Sequence, residues 1–204
     1  MKVLGTAAYP LPGIRREGIV IPAQVGFAVM GTSFALHGRK YSGSIPVLAN
    51  VLNYMYLWNE IRVQGGAYGC GFIGRDTGDA AFYTYRDPQP VRSLGVIARA
   101  ADFLRQFCAA SPDLTGFILS SVSTLDPLRT PEDKISSAEN RRFLGIDQAE
   151  IDRRYAALIH TTPEDLLALA GILEDIAGDD AVCVAAGKDL LDACGDRITE
   201  TVTV

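Results

Sequence analysis

The chain has 204 residues, 48% of them hydrophobic, and a formal net charge of -5. That length and composition suffice for one well-packed core and exclude several, so residues 1–204 are read as a single domain. The acidic balance, with no cluster of Lys or Arg among aromatics, excludes a nucleic-acid surface, and the longest apolar stretches, such as Ala181 to Ala186, are far too short to span a bilayer.

Two β-like runs open the chain, Gly18 to Ile21 and Gln24 to Met30, and the alternation of Val25, Phe27 and Val29 with small residues predicts adjacent strands broken by Pro22. Val47, Leu48, Val51, Leu52, Met55, Trp58 and Ile61 recur at helical spacing and predict an amphipathic helix from Ile45 to Ile61 that places all seven on one face. Gly65, Gly66, Gly69, Gly71 and Gly74 punctuate the return to a strand pattern. Asp76-Thr77-Gly78-Asp79 then reads as the turn of a hairpin whose second strand is Ala80 to Arg86. Asp87-Pro88 offers an N-cap carboxylate and a proline at the first helical position, predicting a second long helix through Val91, Leu94, Ile97, Ala98, Ala101, Leu104 and Cys108.

Ser111-Pro112, Thr130-Pro131 and Thr162-Pro163 repeat that cap-plus-proline pattern, Asp147 with Glu150 resembles a capping box, and Gly145, Gly178 and Gly195 read as helix stops. A buried strand, Ala181 to Ala186, returns late and leads into a short helix, Lys188 to Cys194. The fold class is α+β: a mainly antiparallel sheet with helices packed on one face, one of its strands coming from far along the chain.

Most chemical motifs fail on context. Gly69-Cys70-Gly71-Phe72-Ile73-Gly74 has the letters of a dinucleotide fingerprint, but its last glycine runs into a polar turn and a strand, where that fingerprint needs a helix. Ser42, Ser44, Ser120 and Ser121 lie in no nucleophile elbow, and Glu132, Asp133, Glu174 and Asp175 fall at the starts or ends of helices, where dipole compensation or plain solvation accounts for them. His37 and His160 are far apart and belong to no zinc-binding helix motif, so no metal ligand is assigned. Cys70, Cys108, Cys183 and Cys194 show no C-x-x-C spacing and read as buried thiols of a reducing compartment. With no leader-like start in residues 1–20, a soluble, cytoplasmic location is expected.

One segment stands out. In Leu57-Trp58-Asn59-Glu60-Ile61-Arg62-Val63-Gln64-Gly65-Gly66-Ala67-Tyr68-Gly69 a helix ends, two glycines permit positive φ, and a strand begins. The bend can bring the Arg62 guanidinium and the Tyr68 hydroxyl toward one small volume suited to a carbonyl or developing oxyanion. Equally, Arg62 could cap its own helix while Tyr68 packs in the sheet.

The same segment closely resembles the part of presequence proteases, within the pitrilysin/insulinase family, that carries a substrate-binding Arg and Tyr. Glu17-Gly18-Ile19-Val20-Ile21-Pro22-Ala23-Gln24-Val25, Lys40-Tyr41-Ser42-Gly43, Tyr85-Arg86-Asp87-Pro88, Arg142-Phe143-Leu144-Gly145 and Thr161-Thr162-Pro163-Glu164-Asp165 extend the resemblance over roughly Glu17 to Cys194. It implies a pitrilysin/insulinase-type domain, the C-terminal member of a four-domain zinc endo-oligopeptidase for short unstructured peptides. The zinc ligands would then lie outside this chain, in an N-terminal half that is its partner. It further implies that Arg62 and Tyr68 are catalytic, binding substrate backbone and stabilising the tetrahedral intermediate, with Gly65 and Gly66 supporting the loop against substrate. A non-catalytic scaffold or partner subunit of the same fold is the alternative.

Overall fold

Strands with alternating burial and helices with one apolar face assemble around a six-stranded sheet, in a computed structural model that describes residues 13, 15–125 and 130–203. In chain order the elements are β1 (Arg16–Val20), β2 (Gly26–Ser33), a 3₁₀ turn (Phe34–His37), α1 (Ile45–Val51) continued by a π-helical segment (Leu52–Val63), β3 (Gly69–Gly74) and β4 (Asp79–Asp87). There follow α2 (Pro90–Ile97), α3 (Ala100–Ala109), α4 (Thr115–Leu125), α5 (Pro131–Leu144), α6 (Gln148–Ile159), α7 (Pro163–Ala168) and α8 (Ala170–Asp179), then β5 (Val182–Ala186), α9 (Lys188–Asp192) and β6 (Glu200–Thr203).

The strand order is β3-β4-β2-β5-β1-β6. β3, β4, β2 and β5 pair antiparallel in succession, whereas β1 lies parallel to both β5 and β6. The α+β class with a mainly antiparallel sheet therefore holds, and the late strand is where the sequence put it. β1 and β2 are not neighbours, however. β5 inserts between them, because its Val182, Val184 and Ala186 supply the buried positions that join the two halves of the sheet. β6 lies beyond the last strand expected from sequence.

Helices pack on one face, against Ala28, Met30, Phe72, Ala80, Phe82, Val182 and Val184. On the other face Val29, Tyr83, Tyr85 and Val202 stay exposed, and no described element covers them. At the free edge of β3, the Asn53 side-chain amide accepts the Phe72 N–H at 2.7 Å and donates to the Phe72 carbonyl at 3.4 Å, standing in for a further strand.

The helix expected over Ile45 to Ile61 forms, but its second half winds more widely. Gln64 N–H bonds to the Asn59 carbonyl, five residues back, at 3.0 Å. A wider turn moves the apolar positions: Leu57 and Ile61 are fully buried, whereas Met55 is 46% and Trp58 43% exposed. The expected second long helix is broken between α2 and α3. The Val96 carbonyl takes the Tyr56 hydroxyl at 2.8 Å and the Arg99 N–H at 3.0 Å, which tightens the ladder there.

Capping at Thr130, Asp147 and Thr162 is as read from sequence, each side chain accepting the N–H three residues on, and Gly145 ends α5 with a φ of 68°. Elsewhere the boundaries move. Asp87 is no N-cap: its Oδ1 accepts the Gln89 N–H at 2.8 Å in a local turn, and α2 starts at Pro90. Ser111-Pro112 lies in the connection before α4, whose start is held by Asp113 Oδ1 on the Thr115 N–H at 2.9 Å. α8 passes through Gly178 and stops at Asp180, φ 47°. All four cysteines are free thiols.

Two measurements test this packing. Leu57→Ala is expected to cost about 2–5 kcal/mol in urea unfolding and Met55→Ala to stay within about 0.5 kcal/mol, an order that an ordinary α-helix over the same residues would not give. Burial pushes the Asp179 carboxyl up, but hydrogen bonds from Thr32 and His37 and the charge of His37 outweigh it and hold it below the usual carboxylate range. A depressed carboxyl stabilises the fold above its unfolded pKa of about 3.9 and loses that contribution as pH falls through the folded value. The denaturation midpoint of Asp179→Asn should therefore fall less steeply than wild type below about pH 4.

Candidate functional site

The wide winding of Leu52–Val63 decides what its last turn presents. Trp58 and Arg62, four residues apart, both face outward, and the guanidinium carbon of Arg62 lies 4.0 Å from the Trp58 ring centroid. The segment is then closed by two nested bonds, Gly66 N–H to the Arg62 carbonyl at 3.0 Å and Ala67 N–H to the Ile61 carbonyl at 3.2 Å. Each spans one residue more than the usual Schellman pair.

The two glycines have different reasons to be there. Gly66 adopts a φ of 78°, the left-handed conformation that closes the bend. Gly65 has no positive φ. It is buried, and a Cβ there would sit 2.5 Å from the Ile61 carbonyl oxygen and 3.1 Å from Arg92 Nη1. Its own carbonyl already accepts Gln89 Nε2 at 3.3 Å, so Gly65 supports the bend from below while Gly66 is at the surface.

The bend delivers Tyr68, 66% exposed, beside Arg62, whose guanidinium carbon is 5.9 Å from the Tyr68 ring. Arg62 and Tyr68 are thus brought together, and neither side chain makes a hydrogen bond or ion pair among the described residues. Arg62 does not cap its helix. The carboxylate in reach of that turn, Glu60, is taken by Arg92, which also donates to the Glu60 carbonyl. A half-buried guanidinium with five donors and an exposed tyrosine are consequently neighbours at the surface.

From Tyr68 an aromatic chain continues onto the uncovered sheet face. Tyr68 meets Tyr85 edge-on at 5.9 Å and Tyr85 meets Phe27 at 5.3 Å. Tyr83 lies flat over Gly71, where a Cβ would come within 2.7 Å of the tyrosine oxygen. Trp58 was placed on the buried face by its spacing, and Tyr85 with Arg86 carried only resemblance, so sequence reasoning gave these residues no role. A visible signal was the doublet Tyr85-Arg86 before Asp87-Pro88, which ends the regular alternation of β4.

Other groups suit catalysis less. Burial pushes the Cys70 thiol up to about 11 despite the opposing charge of Arg62, and its sulfur donates to the Leu57 carbonyl at 3.3 Å. A cleft of about 900 Å³ between α5, α6 and the β3–β4 turn contains Arg154, but that cation is paired with Asp76 and Glu150 and stacked on Tyr41. Among the described residues no three His, Cys, Asp or Glu side chains converge as a metal site requires. His37 sits between Asp175, which is also paired with Arg39, and Asp179, which also accepts the Thr32 hydroxyl, and His160 is exposed at the end of α6.

Comparison with known proteins gives concordant results. Residues 16–188 match the family described as the PreP C-terminal domain. Presequence protease 1, chloroplastic/mitochondrial, of Arabidopsis thaliana is 31% identical over 188 residues, covering 90% of this chain and 17% of that protein. Protein HypA of Clostridium perfringens is 27% identical over 177 residues, covering 87% of this chain and 18% of that protein. The chain therefore spans less than a fifth of the length of these relatives. In fold it is similar to pitrilysin (TM-score 0.59, 12% identity, 95% of this chain and 22% of that one). It is also similar to a peptidase M16 inactive domain from Pseudomonas fluorescens (TM-score 0.57, 12% identity, 90% of this chain and 46% of that one).

Trp58 is the single tryptophan of the chain, so its emission reports on the site directly. Gly65→Ala should shift that emission and cost about 1–3 kcal/mol by overpacking against Ile61. Gly66→Ala should cost about 1 kcal/mol through its left-handed backbone, and Gly66→Asn less. Equal, negligible effects of all three on emission and stability would contradict the geometry of the bend.

Proposed function

The chain belongs to the PreP C-terminal domain family, and from that membership we propose that it is the substrate-binding C-terminal domain of a larger zinc-dependent endo-oligopeptidase acting on short, unstructured peptides. No three His, Cys, Asp or Glu side chains converge among the described residues, and the likeness to presequence proteases supports assigning the metal and its ligands to an N-terminal half outside this chain.

The observation that carries the reading is the Arg62 guanidinium, stacked on Trp58 and free of any described counter-ion, beside the exposed Tyr68 at the rim of a bare apolar sheet face. A peptide in extended conformation offers carbonyl oxygens at regular spacing. Arg62 and Tyr68 donate to such oxygens next to the bond that is cut, and to the oxygen that becomes negative in the tetrahedral intermediate. Donors already in place for that charge need no reorganisation during the reaction, and one such donor is typically worth about 10²- to 10³-fold in turnover. The stacking rings hold the guanidinium without consuming its N–H groups, and the tyrosines of β4 accept the apolar side chains of the peptide.

The test uses the full-length protein with its N-terminal half. Arg62→Ala and Tyr68→Phe are each expected to lower kcat for peptide cleavage by about 10²- to 10³-fold, with zinc content unchanged. Near-wild-type turnover in both variants would overturn the assigned roles and leave the domain as a scaffold or partner subunit.

A further inference from the structure

Arg86 occupies a backbone conformation that its residue type rarely takes. Its φ is 48°, in the left-handed region where non-glycine residues are uncommon and tend to mark functional sites. The cause is a bulge in β4: Gly26 pairs with Asp87 and Ala28 with Thr84, so β4 has one residue too many across that step. The extra residue suspends the alternation, and Tyr85 and Arg86, consecutive in sequence, are both exposed while Asp87 is buried.

The strained residue is tied to the site on both sides. Its carbonyl accepts the Tyr68 N–H at 3.4 Å, and its guanidinium carbon lies 5.7 Å from the Tyr85 ring. Tyr68 and Tyr85 are in edge-on contact, so a guanidinium lies over each ring of the pair, Arg62 over Tyr68 and Arg86 over Tyr85. Arg39, Arg92, Arg105 and Arg154 all have carboxylate partners. Arg86, like Arg62, has none among the described residues. Two cations without a described counter-ion, each over one ring of an edge-on tyrosine pair, make this surface locally positive and suited to an anionic ligand. Arg62 is held close to Trp58. Arg86 rests more loosely on its ring and is free to form the two parallel bonds that a guanidinium makes with a carboxylate.

We propose that Arg86 is a second substrate-binding guanidinium that holds a carboxylate of the bound peptide, either an acidic side chain or the peptide's own C-terminus, while Arg62 holds the main chain beside the bond that is cut. This assignment rests on the reading of Arg62 and Tyr68 above.

The test compares wild-type full-length protein with Arg86→Gly, a substitution that accepts the left-handed backbone and leaves the residue 86 carbonyl for Tyr68. Two matched pairs of quenched peptides serve as probes: one pair differs by Glu against Gln at a single position, the other by a free against an amidated C-terminus. Wild type is expected to favour the carboxylate member of one pair. Arg86→Gly should remove that preference by raising KM about 10- to 100-fold for the carboxylate peptide alone, with the amide peptides cleaved as before. The pair that loses its preference identifies the source of the carboxylate. Absence of any preference in wild type, or its persistence in Arg86→Gly, overturns the proposal. Arg62→Ala in the same assay separates the two readings: collapse of turnover there, with the preference retained in Arg86→Gly, overturns the role of Arg86 alone, whereas undiminished turnover overturns the reading beneath it.

Discussion

Between Leu52 and Val63 the backbone amides reach back five residues instead of four, and the site hangs on that longer reach. Such winding is rare because it strains the ladder, and it persists where neighbouring groups hold it. Here they are identifiable. Asn53 bonds the backbone of β3, Tyr56 bonds the Val96 carbonyl, the Cys70 thiol reaches the Leu57 carbonyl, and Arg92 reaches the Glu60 carbonyl. Four side-chain contacts spread along the segment fix its rotation, while Leu57 and Ile61 bury its inner side. The same rotation turns Trp58 outward and sets Arg62 over it.

The sheet supplies the second half of the arrangement. Its helical side is filled by Phe72, Phe82, Met30 and the apolar faces of α1, α2 and α8. Its bare side begins at the bend and carries tyrosines where an isolated soluble sheet would be polar. A bulge at the end of β4 brings Tyr85 and Arg86 to the same side, next to Tyr68. Helix end, bend and bulge are distinct local devices, each needing a few residues, and they converge because β3 and β4 are paired.

How much of this the sequence shows depends on the range of the forces involved. Thr130, Asp147 and Thr162 act on amides three residues away, and their caps were legible in full. The strands, the hairpin and the late β5 follow from alternation, and the approach of Arg62 to Tyr68 follows from the helix–glycine–strand order. Trp58 was not, because a spacing of 3.6 residues per turn is an assumption that the contacts of Asn53, Tyr56 and Cys70 override. Nor was the separation of β1 from β2 by β5, a pairing across more than 150 residues that no local pattern records. Gly65 was read for backbone freedom when its real constraint is the proximity of the Ile61 carbonyl.

The Asn53 amide on Phe72 has a consequence for the molecule's behaviour in a crowd. A terminal strand made of Gly69-Cys70-Gly71-Phe72-Ile73-Gly74 has three glycines that leave its backbone open, and its outer row of amides and carbonyls would invite any extended chain to dock and propagate. By occupying both groups of the middle residue, Asn53 turns that row into two short, separated stubs. One margin of the sheet is thereby kept from becoming a template for extended chains.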